Sequence, residues 1–212
     1  MNLNFSIEQK TNFLLGLFVA SLVTANLISL KIASFGFFEA SVGILVFPVL
    51  FLITDIIEEV HGSAKAKQFV YIALITLVFV LIITAIAVLL PTAERSFISG
   101  AEYSNIFGTT LRIFAASIVG FFFSQMHDVW AFNFWKKKTN GKSLWLRNNA
   151  STIVSQFIDT TLFMFLAFYA ISPKFTVEYV FALIIPYWLI KVLFAIIDTP
   201  FCYLGVKWLR GK

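Results

Sequence analysis

The chain alternates long apolar runs with short polar breaks, at a spacing that suits a bilayer. A helix needs about 20 consecutive apolar residues to cross hydrocarbon. Six runs meet or approach that length. The first goes from Asn12 to about Ile32, the second from about Ala40 to Glu58 with Pro48 interrupting it, and the third from about Phe69 to Leu90, where Pro91 stops it. The fourth spans about Thr109 to Trp135, the fifth about Ala150 to Ile171, ending before Pro173, and the sixth about Val177 to Val206, with Pro186 inside. Proline within a membrane helix is tolerated where neighbouring groups satisfy the freed carbonyl. The leading segment contains Glu8 and lacks a basic start, and the run after it is longer than the roughly 7–15 residues of a signal-peptide core, so it is expected to remain as the first span. The pattern predicts an all-α integral membrane protein: a bundle of about six transmembrane helices in a single domain over residues 1–212.

Composition supports this. Hydrophobic residues make up 59% of the chain and charged residues 13%, with 26 Phe, against roughly 45–50% and about 25% in soluble domains. Without a lipid-facing exterior, a chain of this size could not hide so much apolar surface. The single Cys202 excludes an intrachain disulfide and Cys-based metal sites within one chain. No cofactor and no metal are expected. The formal charge of +5 would suggest nucleic acid in a soluble protein. Here it reads as a topology signal, and nucleic acid is not an expected partner. Lys10, Lys65, Lys67, Lys136, Lys137, Lys138, Lys142, Arg147, Lys207, Arg210 and Lys212 all fall on one side of a six-span layout. Arg95, Lys174 and Lys31 fall on the other. The positive-inside rule then places both termini in the cytoplasm of a cell whose plasma (inner) membrane holds the chain.

The polar residues inside the apolar runs carry the chemistry. Asp55, Arg112, Asp128, Asp159, Lys191 and Asp198 lie within spans. Each would cost about 2.5–3.5 kcal/mol at a helix centre, so they are expected to face the bundle interior or a polar cavity. A Ser-Gln-x-x-Asp unit occurs twice, as Ser124-Gln125-x-x-Asp128 and Ser155-Gln156-x-x-Asp159, and Ile197-Asp198-Thr199 echoes part of it. Spacings of three and four put all three polar groups of each unit on one helical face. Two such faces around one space would offer two carboxylates and two carboxamides, a set suited to a flat, hydrogen-bonding ligand such as a nucleobase. Phe side chains, with Trp130 and Trp135, could stack on its faces. The bland alternative is helix–helix glue.

At the end of the second span, Asp55 and Glu59 share a face by spacing, and Glu58 and His61 are expected at the interface with water. Lys31 either snorkels to the interface or serves a gate. Before the fifth span, Asn148 or Asn149 could cap the helix, with Arg147 binding lipid phosphate or forming a gate. Asp159 falls roughly 16 Å into its span at 1.5 Å per residue, near the midplane of a core about 30 Å thick. That makes it the candidate to carry a coupling proton, unless Arg112 or Lys191 pairs with it.

The chain resembles the queuosine precursor transporter family, also described as vitamin uptake transporters. The likeness rests on Asn26 with Lys31, Phe47-Pro48 followed by Thr54-Asp55 and Glu59 to Gly62, Arg112, Ser124-Gln125-x-x-Asp128-Val129, and Leu146-Arg147-Asn148-Asn149-x-Ser151-Thr152 leading to Gln156-x-x-Asp159-Thr160. It departs just after Asp55, where Ile56-Ile57-Glu58 is unusually acidic. The resemblance implies about six helices, a fold similar to the substrate-binding components of energy-coupling-factor transporters, and import of 7-deazaguanines such as preQ0, preQ1 or queuine. Candidate substrate-binding residues are Asn26, Asp55, Arg112, Gln125, Asp128, Asn149, Gln156 and Asp159. Candidate gating or coupling residues are Lys31, Glu59, Arg147, Lys191 and Asp198. A second copy of the chain and an external ATP-driven module are open partners, and the chain has no Walker A sequence of its own. An intramembrane enzyme is the competing class. No HExxH or GxSxG motif is present. The Glu58-Glu59 pair resembles the double glutamate of membrane prenyl-protein proteases, but Ser63 stands where those need Arg.

Overall fold

The computed structural model describes residues 5–34, 36, 39–170, 173 and 175–211. Six α-helices run in chain order: α1 (Ile7–Ile28), α2 (Phe47–His61), α3 (Ser63–Leu89), α4 (Gly100–Lys138), α5 (Leu144–Phe168) and α6 (Val177–Arg210). Five of them, all but α2, are long and apolar enough to cross a membrane. The chain is a multi-pass membrane protein. The expected end of the fifth span at Ile171, and Lys174 and Lys212, lie outside the described residues.

The second span differs from its sequence reading. Residues expected to begin a helix at Ala40 instead form an antiparallel hairpin, β1 (Ile32–Ser34) on β2 (Glu39–Ser41), and a 3-10 turn, Val42–Leu45. Pro48 does not interrupt a helix. It sits in the first turn of α2, where its missing N–H costs nothing. The 3-10 turn and α2 together would rise about 30 Å if collinear, at about 2.0 and 1.5 Å per residue, a length comparable to the hydrocarbon core. Ser41 fixes the break. Its Oγ accepts from the Gly43 N–H and donates to the Ser29 carbonyl, while its N–H donates to the Tyr187 hydroxyl of α6 at 2.9 Å.

Helix boundaries follow capping chemistry. α1 starts at a capping box between Ser6 and Gln9, and α4 at one between Ser99 and Glu102. α4 therefore begins nine residues before the expected Thr109. α5 begins at Leu144, after a turn with positive φ at Asn140, Gly141 and Ser143. Asn148 and Asn149 consequently lie inside α5 and do not cap it.

Phe18 of α1, Phe69 of α3 and Phe121 of α4 meet at ring-centroid distances of 6.1 and 5.9 Å in the apolar core. α3 is the peripheral helix, with mean hydropathy 3.2 and only 11% of its span buried. The α4–α5 seam is instead packed with Ser, Gln, Asn, Thr and Asp. Lys10 Nζ donates to the Trp208 carbonyl at 2.7 Å, so both ends of the described chain lie at one end of the bundle. The hairpin lies at the other.

Candidate functional site

Lys191 of α6 donates to Asp159 of α5 at 2.6 Å, with both side chains nearly inaccessible. The ammonium also sits 4.4 Å from the centroid of the Phe47 ring, a cation–π contact that is strengthened by the absence of water. Of the two cations weighed against Asp159, Lys191 is thus the one that reaches it. Arg112 is exposed on the hairpin side, where its Nε and Nη2 donate to the Leu166 and Tyr169 carbonyls at 3.0 and 2.7 Å. It closes the C-terminus of α5.

Three small cavities lie near Lys191, and two of them are lined by it. One of about 100 Å³ lies under the hairpin, lined by Ser29, Ser41, Arg112, Phe163 and Tyr187 among others. A second, of about 30 Å³, shares Ser29, Ser41, Phe163 and Tyr187 and adds Phe47, Thr160 and Lys191. A third, of about 10 Å³, shares Phe47 and Lys191 and reaches Thr152, Gln156 and Asp198. Binding sites for small molecules usually hold about 300–1,000 Å³, so the track is closed in this state. A larger groove of about 600 Å³ near Pro91 and Phe97, at the α3–α4 connection, is open to the surface and is lined by none of the buried polar residues.

Gln125 and Asp128 lie in the α4–α5 seam, outside the linings of those three cavities. Asp128 faces Ser151, Thr152 and Ser155 of α5 and Asp55 of α2, yet neither of its oxygens closes a hydrogen bond. Both polar atoms of the Gln125 carboxamide, Oε1 of Gln156, and Oδ1 of Asn148 and Asn149 are also buried without partners. Native interiors leave few such atoms, and here they concentrate on α4 and α5. Asn149 Nδ2 donates to Trp145 O and to Thr199 Oγ1, each at 2.9 Å.

The end of α2 separates two neighbouring glutamates. Glu58, expected at the aqueous interface, is buried beside Asp55 and Asp128. Glu59 points the other way and collects three cations: Arg147 of α5 at 2.6 Å, Lys136 of α4 at 3.1 Å and Arg210 of α6 at 3.3 Å. Arg147 is buried, stacks over Phe132 at 5.5 Å and also donates to the Gly141 carbonyl. It is therefore not the lipid-phosphate ligand that its place in the sequence suggested. Asn26 is buried in α1 and donates to its own helix at Leu22 O, while Lys31 is exposed beside the hairpin. Trp130 is also exposed, against Phe134, so it faces outward and does not stack over the polar seam. The aromatic residues beside the cavities are Phe47, Phe163 and Tyr187. Tyr187 was not singled out from the sequence, although a tyrosine in an apolar span needs a partner for its hydroxyl.

A model of the family described as "Putative vitamin uptake transporter" matches residues 41–205. The chain is 32% identical over 197 residues to the "Probable queuosine precursor transporter" of Bacillus subtilis (strain 168), covering 91% of this chain and 84% of that one. It is 27% identical over 190 residues to the "Queuosine precursor transporter" of Escherichia coli (strain K12), covering 89% of this chain and 82% of that one. Against the "Probable queuosine precursor transporter" of Haemophilus influenzae the identity is 26%, over 74% of this chain and 64% of that one. No solved structure gives a significant match.

Proposed function

Because the chain belongs to the queuosine precursor transporter family, we propose that it carries 7-deazaguanine precursors of queuosine across the plasma (inner) membrane into the cytoplasm. The observation that supports this most is the buried Asp159–Lys191 pair, whose lysine lines a small cavity walled by Phe47, Phe163 and Tyr187. The chain acts as a carrier and not as an enzyme.

A guanine-like ring presents two adjacent N–H donors on one edge and a carbonyl oxygen beside them. Asp159 can accept both donors as two parallel charge-assisted bonds. Lys191 can then turn to the carbonyl without leaving the face of Phe47. Gln156, one turn before Asp159, has an unpartnered oxygen for a further N–H. Burial of the planar ring between aromatic side chains supplies the apolar part of the affinity. Opening toward the terminal end requires the Glu59 cluster to separate, because it ties α2 to α4, α5 and α6.

The test is exchange of labelled preQ0 or preQ1 in proteoliposomes holding the purified protein. Rapid exchange by the parent is expected. Asp159→Asn should weaken half-saturation more than tenfold, the loss of one pair of charge-assisted bonds at about 1.5–3 kcal/mol. Gln156→Leu leaves the ion pair intact and should cost several-fold, which separates a binding defect from misfolding. A parent that exchanges neither compound, or variants that exchange both like the parent, would sink this reading.

A further inference from the structure

The cations that close ion pairs or carbonyl contacts in the bundle are engaged away from Asp55, Glu58 and Asp128. Lys191 is taken by Asp159, Lys136, Arg147 and Arg210 by Glu59, and Arg112 by the end of α5. Asp55, Glu58 and Asp128 are each at most 2% exposed. Among the described residues none of the three belongs to an ion pair. Asp55 and Glu58 of α2 both lie close enough to Asp128 of α4 to repel it, and Asp198 of α6 adds to the field at Asp55. The cations felt at Glu58 are Lys67 of α3 and Lys136 of α4, and neither closes a pair with it. Carboxylates gathered out of water without a counter-charge are strongly disfavoured.

The wall opposite is made of hydroxyls. Ser151, Thr152 and Ser155 of α5 face Asp128. Ser151 and Ser155 donate their protons to backbone carbonyls of α5, at Asn148 and Ser151, which leaves oxygen lone pairs free. His127 completes this side, 2.9 Å from Ser155 Oγ through Nδ1. Two further groups have polar atoms without a protein partner. The Thr152 hydroxyl is buried, turned toward Asp128 and closes no hydrogen bond. The Gln125 carboxamide, on the same helical face as Asp128, is wholly buried with both polar atoms unpartnered.

We propose that Asp55 and Asp128, with the hydroxyls of Ser151, Thr152 and Ser155, form a site for an exchangeable monovalent cation, either a sodium ion or a proton. Carboxylate and hydroxyl oxygens are the ligands that hard cations take. Among the described residues no three of His, Cys, Asp and Glu converge as a divalent metal would require. The site also explains how a cation gradient reaches the substrate, a step that rests on the function proposed above. Ser151, Thr152 and Ser155 share one broad face of α5 with Gln156 and Asp159, and Thr152 lines the same cavity as Gln156. Occupancy at Asp128 therefore sets the position of the helix that holds the substrate.

Thermal unfolding of the purified protein in detergent tests the site without any substrate. Sodium chloride is titrated against choline chloride at fixed ionic strength, and pH is varied separately. A sodium site raises the parent's melting temperature with sodium. A proton site raises it on acidification and ignores sodium. Either response should vanish in Asp55→Asn and Asp128→Asn. Thr152→Val with Ser155→Ala keeps every charge and should weaken the half-maximal cation concentration at least tenfold. A parent indifferent to both cations, or variants that respond as the parent does, would overturn the site. The second readout is the ratio of precursor uptake with and without an inward gradient of the responding cation, which should fall toward one in Asp128→Asn. Exchange by the parent without a gradient separates the two proposals. If exchange fails while the melting response stands, the transport reading falls and the cation site remains. If exchange proceeds while melting and ratio are both flat, the cation site falls alone.

Discussion

At the scale of single residues, neighbours in the sequence have different fates because successive helical side chains are turned about 100° apart at 3.6 residues per turn. Glu58 and Glu59 are one such pair, the first buried with acids and the second among cations. The sequence could place both near the end of a span, but the phase of α2 depends on its packing against α6, α3 and α1, which local pattern does not contain. The partner of Asp159 was hidden for the same reason, since Lys191 is 32 residues away. What the sequence does carry is that Asp128, Gln125, Asp159 and Gln156 turn inward, because an apolar run gives their polar groups no other refuge. Gly120 makes a residue-scale prediction. A Cβ there would lie 3.3 Å from both the carbonyl and the carboxylate of Asp159 and 3.5 Å from the Phe163 nitrogen. Gly120→Val should force α4 from α5 and cost about 1–3 kcal/mol, measured by thermal unfolding in detergent. Gly16→Val, where nothing lies within 4 Å, should leave the melt unchanged. Equal melts for the two would mean that the seam yields freely.

At the scale of elements, length and hydropathy located all six helices, while their boundaries came from features that hydropathy averages away. Ala40–Leu45 is apolar enough to read as a membrane helix, yet Ser41 bonds Ser29 and Tyr187 and turns the segment into a strand and a 3-10 turn. The turn at Asn140–Ser143 starts α5 early, and that start carries Arg147 and Asn149 into the interior. Four helix ends meet at Glu59, so Glu59→Gln should loosen the terminal end of the bundle. Exposed ion pairs contribute about 0.2–1 kcal/mol each, but Arg147 is buried and loses more. On a Cys202→Ser background, a cysteine at Thr152 should react with a soluble thiol reagent at least several-fold faster once Glu59→Gln is added. An unchanged rate would make the cluster a static brace.

At the scale of the whole molecule, the basic residues at the starts of α1, α3 and α5 and at the ends of α4 and α6 share the end that holds both termini, while Lys31, Arg95 and Arg112 lie toward the hairpin end. The charge bias predicts that the terminal end faces the cytoplasm. A cysteine at exposed Asn140, with Cys202→Ser, should resist an impermeant reagent added to intact cells and react in inside-out vesicles. Labelling from outside would invert the orientation. The buried ion pair between α5 and α6 has a further consequence for biosynthesis. The ribosome delivers Asp159 to the membrane before Lys191, and at roughly 5–20 residues per second the separation of 32 positions takes about 2–6 s. During that interval an isolated α5 would hold an uncompensated acid in lipid, at about 2.5–3.5 kcal/mol. Release of α5 and α6 together, as one helical hairpin already neutralised, would remove that cost.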